Sequence, residues 1–326
     1  DAVFGPLGYR NEIIWKRSNP KSLASVNFPT CTDTIFRYAK GSKVTFYPIF
    51  EDHDPDYVQK AYRFHDENGV YRLLPLLNPN DNRPNLTYTF LGVNRVWRWN
   101  KERMQAAYND GLVVQLKPGA VPQYKKYLKD SKGRTITNCW TDILQVSGRE
   151  ALGYPTQNPL ALLERILAAS SNEGDVVLDP FCGCGTTVHA AQKMSRRWLG
   201  IDITHLAVGL IKRRPVDAFP DAQFKVVGEP ADIDGARELA AKDKYEFQKW
   251  ALACIGAQLW KSGKKGGDGG VNGYLYFKSD GKVTEKAVVS VKGGGSLNPA
   301  MVKDLIVTVE QENAKMGVFL TLEQPT

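Results

Sequence analysis

The chain has 326 residues, of which 42% are hydrophobic and 10% aromatic, a content that excludes wholesale disorder and allows two folded domains. No segment approaches 18 consecutive apolar residues, and the first residues lack the pattern of a secretory signal, so we expect a soluble, cytoplasmic protein without membrane contact. Five scattered cysteines, an odd number, exclude a disulfide framework, and their spacing does not complete a zinc site.

Two apolar segments lie within residues 10 to 50. The first reads NEIIW, and the second reads DTIFRYAK and is followed by VTFYPIF. The polar segments SNPKS and KGSK separate them, as turns do between regular elements. This part of the chain therefore predicts strands and a helix end that belong to an α/β sheet.

Residues from about 52 to 142 follow neither a helical nor an alternating period, and Asn, Asp, Pro and Gly recur there, which is typical of a surface insertion that carries recognition. Between Arg95 and Arg134 ten basic residues stand against three acidic ones, with aromatic residues among them. Such a segment suits contacts to nucleic-acid phosphates and bases, although a solvated basic face explains it equally well. The candidates for nucleic-acid contact are Arg95, Trp97, Arg98, Trp99, Lys125 and Lys126.

A regular pattern begins at Asn158, which can cap a helix that has Pro159 in its first turn and a leucine stripe beyond it. A short strand DVVLD, which we expect to be buried, the glycine turn FCGCGTT, the helix VHAAQKM and the strand RRWLGIDI then follow in order. Gly183 and Gly185 allow a close approach of the backbone to a ligand, and Asp202 can accept hydrogen bonds from ribose hydroxyls. The order predicts a nucleoside-binding βαβ unit, whereas the glycines alone would fit a tight structural turn.

The glycine turn resembles motif I of the S-adenosylmethionine-dependent DNA amino-methyltransferases, Asp-Pro-Phe-x-Gly-x-Gly-Thr-Thr, and residues 179–187 match it completely. Residues 154–159 are similar to the Tyr-Pro-Thr-Gln-Lys-Pro segment that precedes this motif, with Asn158 in place of Lys. The resemblance implies a Rossmann-like α/β methyltransferase domain over residues 1–230, with residues 60–142 as its irregular target-recognition insertion. It also implies cofactor contacts from Asp179, Pro180, Phe181, Gly183, Gly185, Thr186, Asp202, Thr156 and Gln157, and no metal in this domain.

The catalytic motif of this family is Asp, Asn or Ser followed by Pro-Pro and an aromatic residue, and this sequence contains no Pro-Pro pair. In the class whose cofactor motifs come last, that motif precedes motif I, so we expect it upstream of residue 1 or on another chain, and the catalytic residues stay unknown. The resemblance implies a prokaryotic, site-specific enzyme of a restriction-modification system. It would methylate an exocyclic amino group of adenine, in preference to cytosine, in double-stranded DNA.

Two alternatives stay open for the function. The chain could be a noncatalytic or split DNA-binding subunit that needs a partner chain with the catalytic motif, and the protein could also form a homodimer. It could also be a methyltransferase-nuclease fusion whose main activity is DNA cleavage, in which case Mg²⁺ would be a second cofactor. Without the catalytic motif the isolated chain could be inactive as a methyltransferase.

The pattern of the sequence changes after about residue 230, where a second set of predicted elements begins. A helical candidate runs from Gly235 to Trp260, and a glycine-rich turn, a hairpin of YLYF with KAVVSV, a helix from Pro299 to about Asn313 and a strand GVFLTL follow. This order resembles the Mrr-like branch of the restriction-endonuclease-like superfamily. The resemblance implies a small, incomplete α/β domain over residues 235–326.

In that branch an Asp in a Gly-x-Asp pattern and a Glu/Gln-x-Lys pair hold Mg²⁺ and the attacking water. Here Lys292 matches the Lys, Ser290 stands in the Glu/Gln position, and Asn272 stands where the Asp is expected. Asn and Ser compensate the charge of a hard cation poorly unless Asp268 serves instead. The tail is therefore a nuclease built on these residues, a domain that grips DNA without cleaving it, or a structural domain.

Overall fold

The first elements of the chain are the antiparallel strands β1 (Tyr9–Lys16) and β2 (Thr32–Tyr38). The structure is a computed structural model, and it describes residues 3–5, 8–20, 26–154, 156–260, 270–294 and 297–323. Ile13 and Trp15 are buried, and the Trp15 indole donates a hydrogen bond of 2.8 Å to the Ile143 carbonyl. The strands predicted from NEIIW and DTIFRYAK are confirmed, whereas VTFYPIF contributes only the start of a two-residue strand. The helix end predicted for this part of the chain was wrong, because no described residue before Pro55 is helical.

Residues Pro48–Trp140 form a compact unit of their own, and Asp1–Tyr47 with Thr141–Thr326 form the other. The first of these contains β3 (Phe50–Glu51), α1 (Pro55–Ala61), β4 (Phe64–Asp66), β5 (Gly69–Pro75), β6 (Thr87–Phe90), β7 (Val93–Val96), α2 (Lys101–Asn109), β8 (Val113–Val114), β9 (Gln123–Tyr127), β10 (Arg134–Thr135) and β11 (Cys139–Trp140).

The unit Pro48–Trp140 is built on a four-stranded antiparallel sheet in the order β4-β5-β9-β8, with β6–β7 as a separate hairpin. Leu76, Phe90, Trp97, Met104 and Val113 form its core. The segment without a sequence period folds into strands of only two to seven residues, which are joined by Asn- and Pro-rich turns. Such short strands leave no period that can be recognised in the sequence.

The predicted βαβ unit is confirmed as β12 (Val176–Asp179), α4 (Thr186–Lys193) and β13 (Arg197–Gly200), preceded by α3 (Leu160–Ser170) and followed by α5 (His205–Ala218). The two strands are parallel, with Asp179 opposite Gly200. One face packs against α3 and α4 through Leu167, Ala190 and Ala191. Asn158 does not cap α3, because Pro159, which has no polar side chain, stands at the cap position.

The other face of this parallel pair is exposed. Val176, Leu178 and Leu199 keep 58%, 56% and 56% of their surface accessible. The sequence predicted that DVVLD is a buried strand, and on this face that prediction was wrong. Parallel strands are usually covered on both faces, so the exposure of three large aliphatic side chains is unusual.

The remaining elements are α6 (Ile233–Lys242), α7 (Lys244–Ile255), β14 (Gln258–Leu259), β15 (Gly273–Phe277), β16 (Glu285–Lys292), α8 (Pro299–Gln311) and β17 (Met316–Thr321). Their sheet has the order β14-β15-β16-β17, in which only β16 and β17 are parallel. The predicted hairpin, the helix from Pro299 and the last strand are confirmed.

The single helix predicted from Gly235 to Trp260 was wrong, because Asp243 breaks it. Asp243 has extended backbone (φ −151°) and its carboxylate accepts hydrogen bonds from the Tyr245 and Glu246 amides, which caps the start of α7. Among the helices of the described residues, none combines the length and apolar character needed to cross a bilayer.

Candidate functional site

The loop that follows β12 folds back on itself at the carboxyl ends of the parallel strands. Asp179 Oδ1 accepts a hydrogen bond of 3.1 Å from the Phe181 amide, and the Gly185 amide donates one of 2.8 Å to the Cys182 carbonyl. The Cys182 amide donates to the Ile201 carbonyl at 3.0 Å. These bonds shape the loop and tie it to the segment after β13, where the open α/β sheets of this class bind their ligands.

Both glycines of the loop have left-handed backbone, with φ of +51° at Gly183 and +77° at Gly185. A Cβ atom at Gly185 would lie 2.8 Å from Ile211 Cγ1, and one at Gly183 would lie 3.2 Å from Tyr154 Cε1. Glycine is therefore needed at Gly185 for conformation and for space. Gly185 also stands at the cap position of α4, so the loop runs directly into the start of that helix.

Asp202 joins the two loops at this edge of the sheet. Its Oδ2 accepts a hydrogen bond of 2.9 Å from the Gly183 amide, and its Oδ1 accepts from the Thr204 amide and hydroxyl, both at 2.9 Å. A carboxylate offers about four acceptor positions, so capacity for a further donor remains. The acid predicted to hold a ribose is thus positioned by the glycine loop itself.

The segment before α3 lies against the glycine loop. The Tyr154 ring contacts the position of Gly183, and burial, followed by the negative charge of Asp202, raises the pKa of the Tyr154 hydroxyl. Thr156 is exposed, and its side chain lowers the pKa of the Tyr154 hydroxyl, against the larger effect of burial. The structure therefore brings Thr156 near the loop residues with which the sequence grouped it.

Gln157 is occupied by backbone groups of its own segment. Its Nε2 donates a hydrogen bond of 2.7 Å to the Glu150 carbonyl, and its Oε1 accepts one of 2.8 Å from the Leu152 amide. The side chain predicted to contact the cofactor thus braces residues 150–152. Its assignment as a cofactor contact stays a prediction.

Arg214, on α5, is a residue of this site that the sequence analysis missed. Its guanidinium donates hydrogen bonds of 3.2 Å to the Cys184 carbonyl and of 3.0 Å to the Thr186 hydroxyl. The Thr186 hydroxyl donates in turn to the Asn158 carbonyl at 3.2 Å. Arg214 is a positioning residue for the loop, and no spacing in the sequence indicates a contact across 28 to 30 residues.

Two large apolar side chains stand at the ends of the loops. Phe181, from the loop after β12, is 88% exposed, and Ile203, from the loop after β13, is 93% exposed. Pro180 is exposed beside Phe181. These side chains offer the site an apolar surface next to the polar groups of Asp202 and the loop backbone.

The two cysteines of the glycine loop are buried, and burial, with the charges of Asp179 and Asp202 after it, raises the pKa of the Cys182 thiol to about 11. The Cys182 thiol is therefore protonated at neutral pH, which disfavours metal binding. In the ranges that the structure describes, no three His, Cys, Asp or Glu side chains are grouped so that they could hold a metal.

The residues predicted to contact nucleic acid differ in their placement. Trp97 is wholly buried and its indole donates a hydrogen bond of 2.8 Å to the Tyr88 carbonyl, so its assignment to nucleic-acid contact was wrong. A tryptophan in the middle of a hydrophobic core cannot reach a base. Trp99 is half-buried, and the Arg103 guanidinium lies 4.3 Å from its ring centre.

The four predicted cations are also unequal. Arg95 and Arg98 are exposed, and each donates to a backbone carbonyl, of Asn94 at 3.0 Å and of Leu77 at 2.9 Å. The Lys125 ammonium lies 2.7 Å from an oxygen of Asp66, whereas Lys126 forms no salt bridge with any described residue.

The predicted nuclease residues lie on and beside β16. Asn272 is buried, and its Oδ1 accepts a hydrogen bond of 2.6 Å from the Val291 amide, between Ser290 and Lys292. Ser290 is buried and Lys292 ends the strand, while Asp268 lies outside the described residues. Since a neutral amide committed to the backbone stands in the metal position, the described residues do not fit a Mg²⁺ site.

Comparisons with known proteins show which families the chain resembles. A family model described as DNA methylase matches residues 1–213, and one described as restriction endonuclease matches residues 239–326. The Type II methyltransferase M.EcaI of Enterobacter cloacae is 30% identical over 220 residues, which are 66% of this chain and 48% of that protein.

Other relatives match shorter shares of their own length. The StyLTI Mod subunit, of a Type III restriction-modification enzyme of Salmonella typhimurium, is 30% identical over 60% of this chain and 32% of that subunit. The Type II methyltransferase M.HpaI of Haemophilus parainfluenzae is 38% identical over 29% of this chain and 31% of that protein. The chain spans at most about half the length of these relatives. It belongs to the N6/N4 DNA methylase family, and a restriction-endonuclease domain follows the methylase region.

Proposed function

We propose that the chain provides the cofactor-binding and DNA-recognition parts of a site-specific methyltransferase of a restriction-modification system. The enzyme would transfer a methyl group from S-adenosylmethionine to an exocyclic amino group of adenine or cytosine in duplex DNA. The observation that carries this proposal is the loop Asp179–Gly185, whose amide at Gly183 is bonded to Asp202 at the carboxyl ends of two parallel strands. Membership of the DNA methylase family supports the same conclusion.

The residues at this edge fit a sulfonium nucleoside. Asp202 retains acceptor capacity for ribose hydroxyls, and Phe181 and Ile203 offer apolar surface to a purine ring. Bound here, S-adenosylmethionine would supply an activated methyl group. The chain's own contribution is to hold the loop in one conformation, for which Arg214 and the left-handed Gly185 are responsible.

A substitution at Asp202 tests the proposed site. In Asp202→Asn the carboxylate is lost, and we expect the affinity for S-adenosylmethionine to fall about 10- to 100-fold, because hydrogen bonds to a charged group contribute about 1.5–3 kcal/mol. Isothermal titration calorimetry measures this, with a thermal melt to verify folding. Asp221→Asn, an exposed acid outside the loops, is the matched control and should bind as the wild type does. Equal affinity in both variants would exclude the site.

A second candidate function is that of a DNA-binding subunit that depends on a partner chain for catalysis. These 326 residues contain no Pro-Pro pair, and none of them is assigned to activate the target amine. Transfer of labelled methyl groups to duplex DNA by the isolated chain separates the two candidates. Sustained turnover would rule out the dependent subunit, and cofactor binding without turnover would support it.

A further inference from the structure

Arg72 and Lys126 bring two positive charges together on one face of the sheet of Pro48–Trp140. They lie directly opposite each other in the antiparallel pair of β5 and β9, so their side chains stand on the same face. Cβ atoms of such pairs are about 4.5–5.5 Å apart, and like charges in this arrangement destabilise a sheet. The pair therefore costs stability in the free protein.

The adjacent lysine of the same strand is neutralised. Lys125 stands on the opposite face, 2.7 Å from an Asp66 oxygen that also accepts a hydrogen bond of 2.9 Å from the Tyr127 hydroxyl. The hydrogen bond from Lys125 lowers the pKa of the Asp66 carboxyl, and the same bond raises the pKa of Lys125. On β9, Lys125 is therefore in an ion pair with Asp66, whereas Lys126 lies opposite another cation, Arg72.

Aromatic rings, not a carboxylate, hold Arg72. Its guanidinium carbon lies 5.8 Å from the ring centre of Tyr57 and 5.4 Å from that of Tyr62, and it donates one hydrogen bond, to the Tyr57 hydroxyl. These contacts fix a guanidinium in place without cancelling its charge. Neither Arg72 nor Lys126 forms a salt bridge with any residue that the structure describes.

Two buried polar atoms at and beside Arg72 have no hydrogen-bond partner among the residues that the structure describes. The Tyr62 hydroxyl and Arg72 Nε are buried and make no hydrogen bond to a described residue. His53, whose ring lies 5.3 Å from that of Tyr57, is anchored by a contact of 2.7 Å between its Nε2 and the Ser131 hydroxyl. Unpaired buried polar atoms are rare in folded proteins, and a hydroxyl and a guanidinium both need an acceptor.

We propose that Arg72 and Lys126 form a site for a phosphate of the duplex DNA backbone. The group that would compensate both charges is an anion with several acceptor oxygens, and a phosphodiester matches the planar donors of a guanidinium. The inference rests on the proposed function, which makes duplex DNA the partner of this unit. Since phosphate contacts carry no sequence information directly, this site positions the DNA and leaves the choice of sequence to other residues.

Salt dependence of DNA binding by the full chain tests the proposal. We expect Arg72→Gln and Lys126→Gln each to reduce the slope of log K against log salt concentration by about 1, and to weaken binding equally on unrelated duplexes. Fluorescence anisotropy with short labelled duplexes measures both quantities. Because Lys126→Gln removes a like-charge contact, its melting temperature should equal or exceed that of the wild type.

Lys249→Gln, on α7, is the control. It removes one positive charge that is paired with Glu246, so its slope should stay that of the wild type. Folded Arg72→Gln and Lys126→Gln variants with the wild-type slope would overturn the phosphate site and leave the methyltransferase proposal intact. A wild-type chain that binds no duplex DNA, or binds duplex RNA equally well, would overturn DNA as the partner.

Discussion

The glycine loop depends on single residues that hold it from three directions. Asp202 binds the Gly183 amide, Arg214 binds the Cys184 carbonyl, and Ile211 leaves no space for a Cβ atom at Gly185. Asp202 was predictable, because the spacing of a nucleoside-binding βαβ unit places an acid at the end of the second strand. Arg214 was not predictable, since its contact depends on how α5 packs and not on a local pattern.

Asn272 illustrates how a residue in a position predicted to be catalytic can take a structural role. Its Oδ1 is the acceptor for the buried Val291 amide, so Asn272→Ala leaves that amide unpaired. We expect a loss of about 1–3 kcal/mol in the free energy of unfolding of this region, together with faster hydrogen exchange along β16. Hydrogen-exchange mass spectrometry and thermal melts measure both effects.

Ser290→Ala is the control for Asn272→Ala. Ser290 is also buried on β16, and its hydroxyl makes no hydrogen bond to the residues that the structure describes, so its removal should change exchange little. If Asn272→Ala exchanged no faster than Ser290→Ala, the structural role of Asn272 would be disproved.

At the scale of elements, local patterns predicted the βαβ unit and the hairpin, while long-range packing escaped prediction. The strand β12, the glycine turn and α4 can each be recognised from a pattern of a few consecutive residues. The sheet of Pro48–Trp140 cannot, because β8 has only two residues and β5 pairs with the distant strand β9. The break at Asp243 escaped because the apolar spacing continues from α6 into α7.

Asp243 ends one helix and caps the next, so its substitution affects the junction of α6 and α7. We expect Asp243→Ala to lower the free energy of unfolding by about 1 kcal/mol, the usual effect of losing a cap at a helix start. Asp243→Asn retains a capping side chain and should lose much less. Circular dichroism melts compare the two variants. Equal losses in both would show that the charge of Asp243, not its capping bonds, is what matters.

For the whole molecule, the exposed face of β12 and β13 is the feature with the largest consequence. Contiguous apolar surface of this kind marks an interaction site or an aggregation risk. We expect the chain to associate as its concentration rises, and Leu178→Thr with Leu199→Thr to suppress that association while the βαβ unit stays folded. Static light scattering measures it. Val177→Thr, on the face packed against α3 and α4, is the control and should destabilise the fold without reducing association.

The neighbouring arginines of α5 point to different parts of the chain. Arg214 holds the loop after β12, and the guanidinium of Arg213 donates to the Ala253 carbonyl in α7, while His205 at the start of the same helix lies between Glu229 and Glu246. Helix α5 therefore contacts both the loop after β12 and helix α7 of the endonuclease-like region. A tilt of α5 would move both of these contacts. We therefore expect a ligand that rigidifies the loop after β12 also to rigidify the contact between α5 and α7.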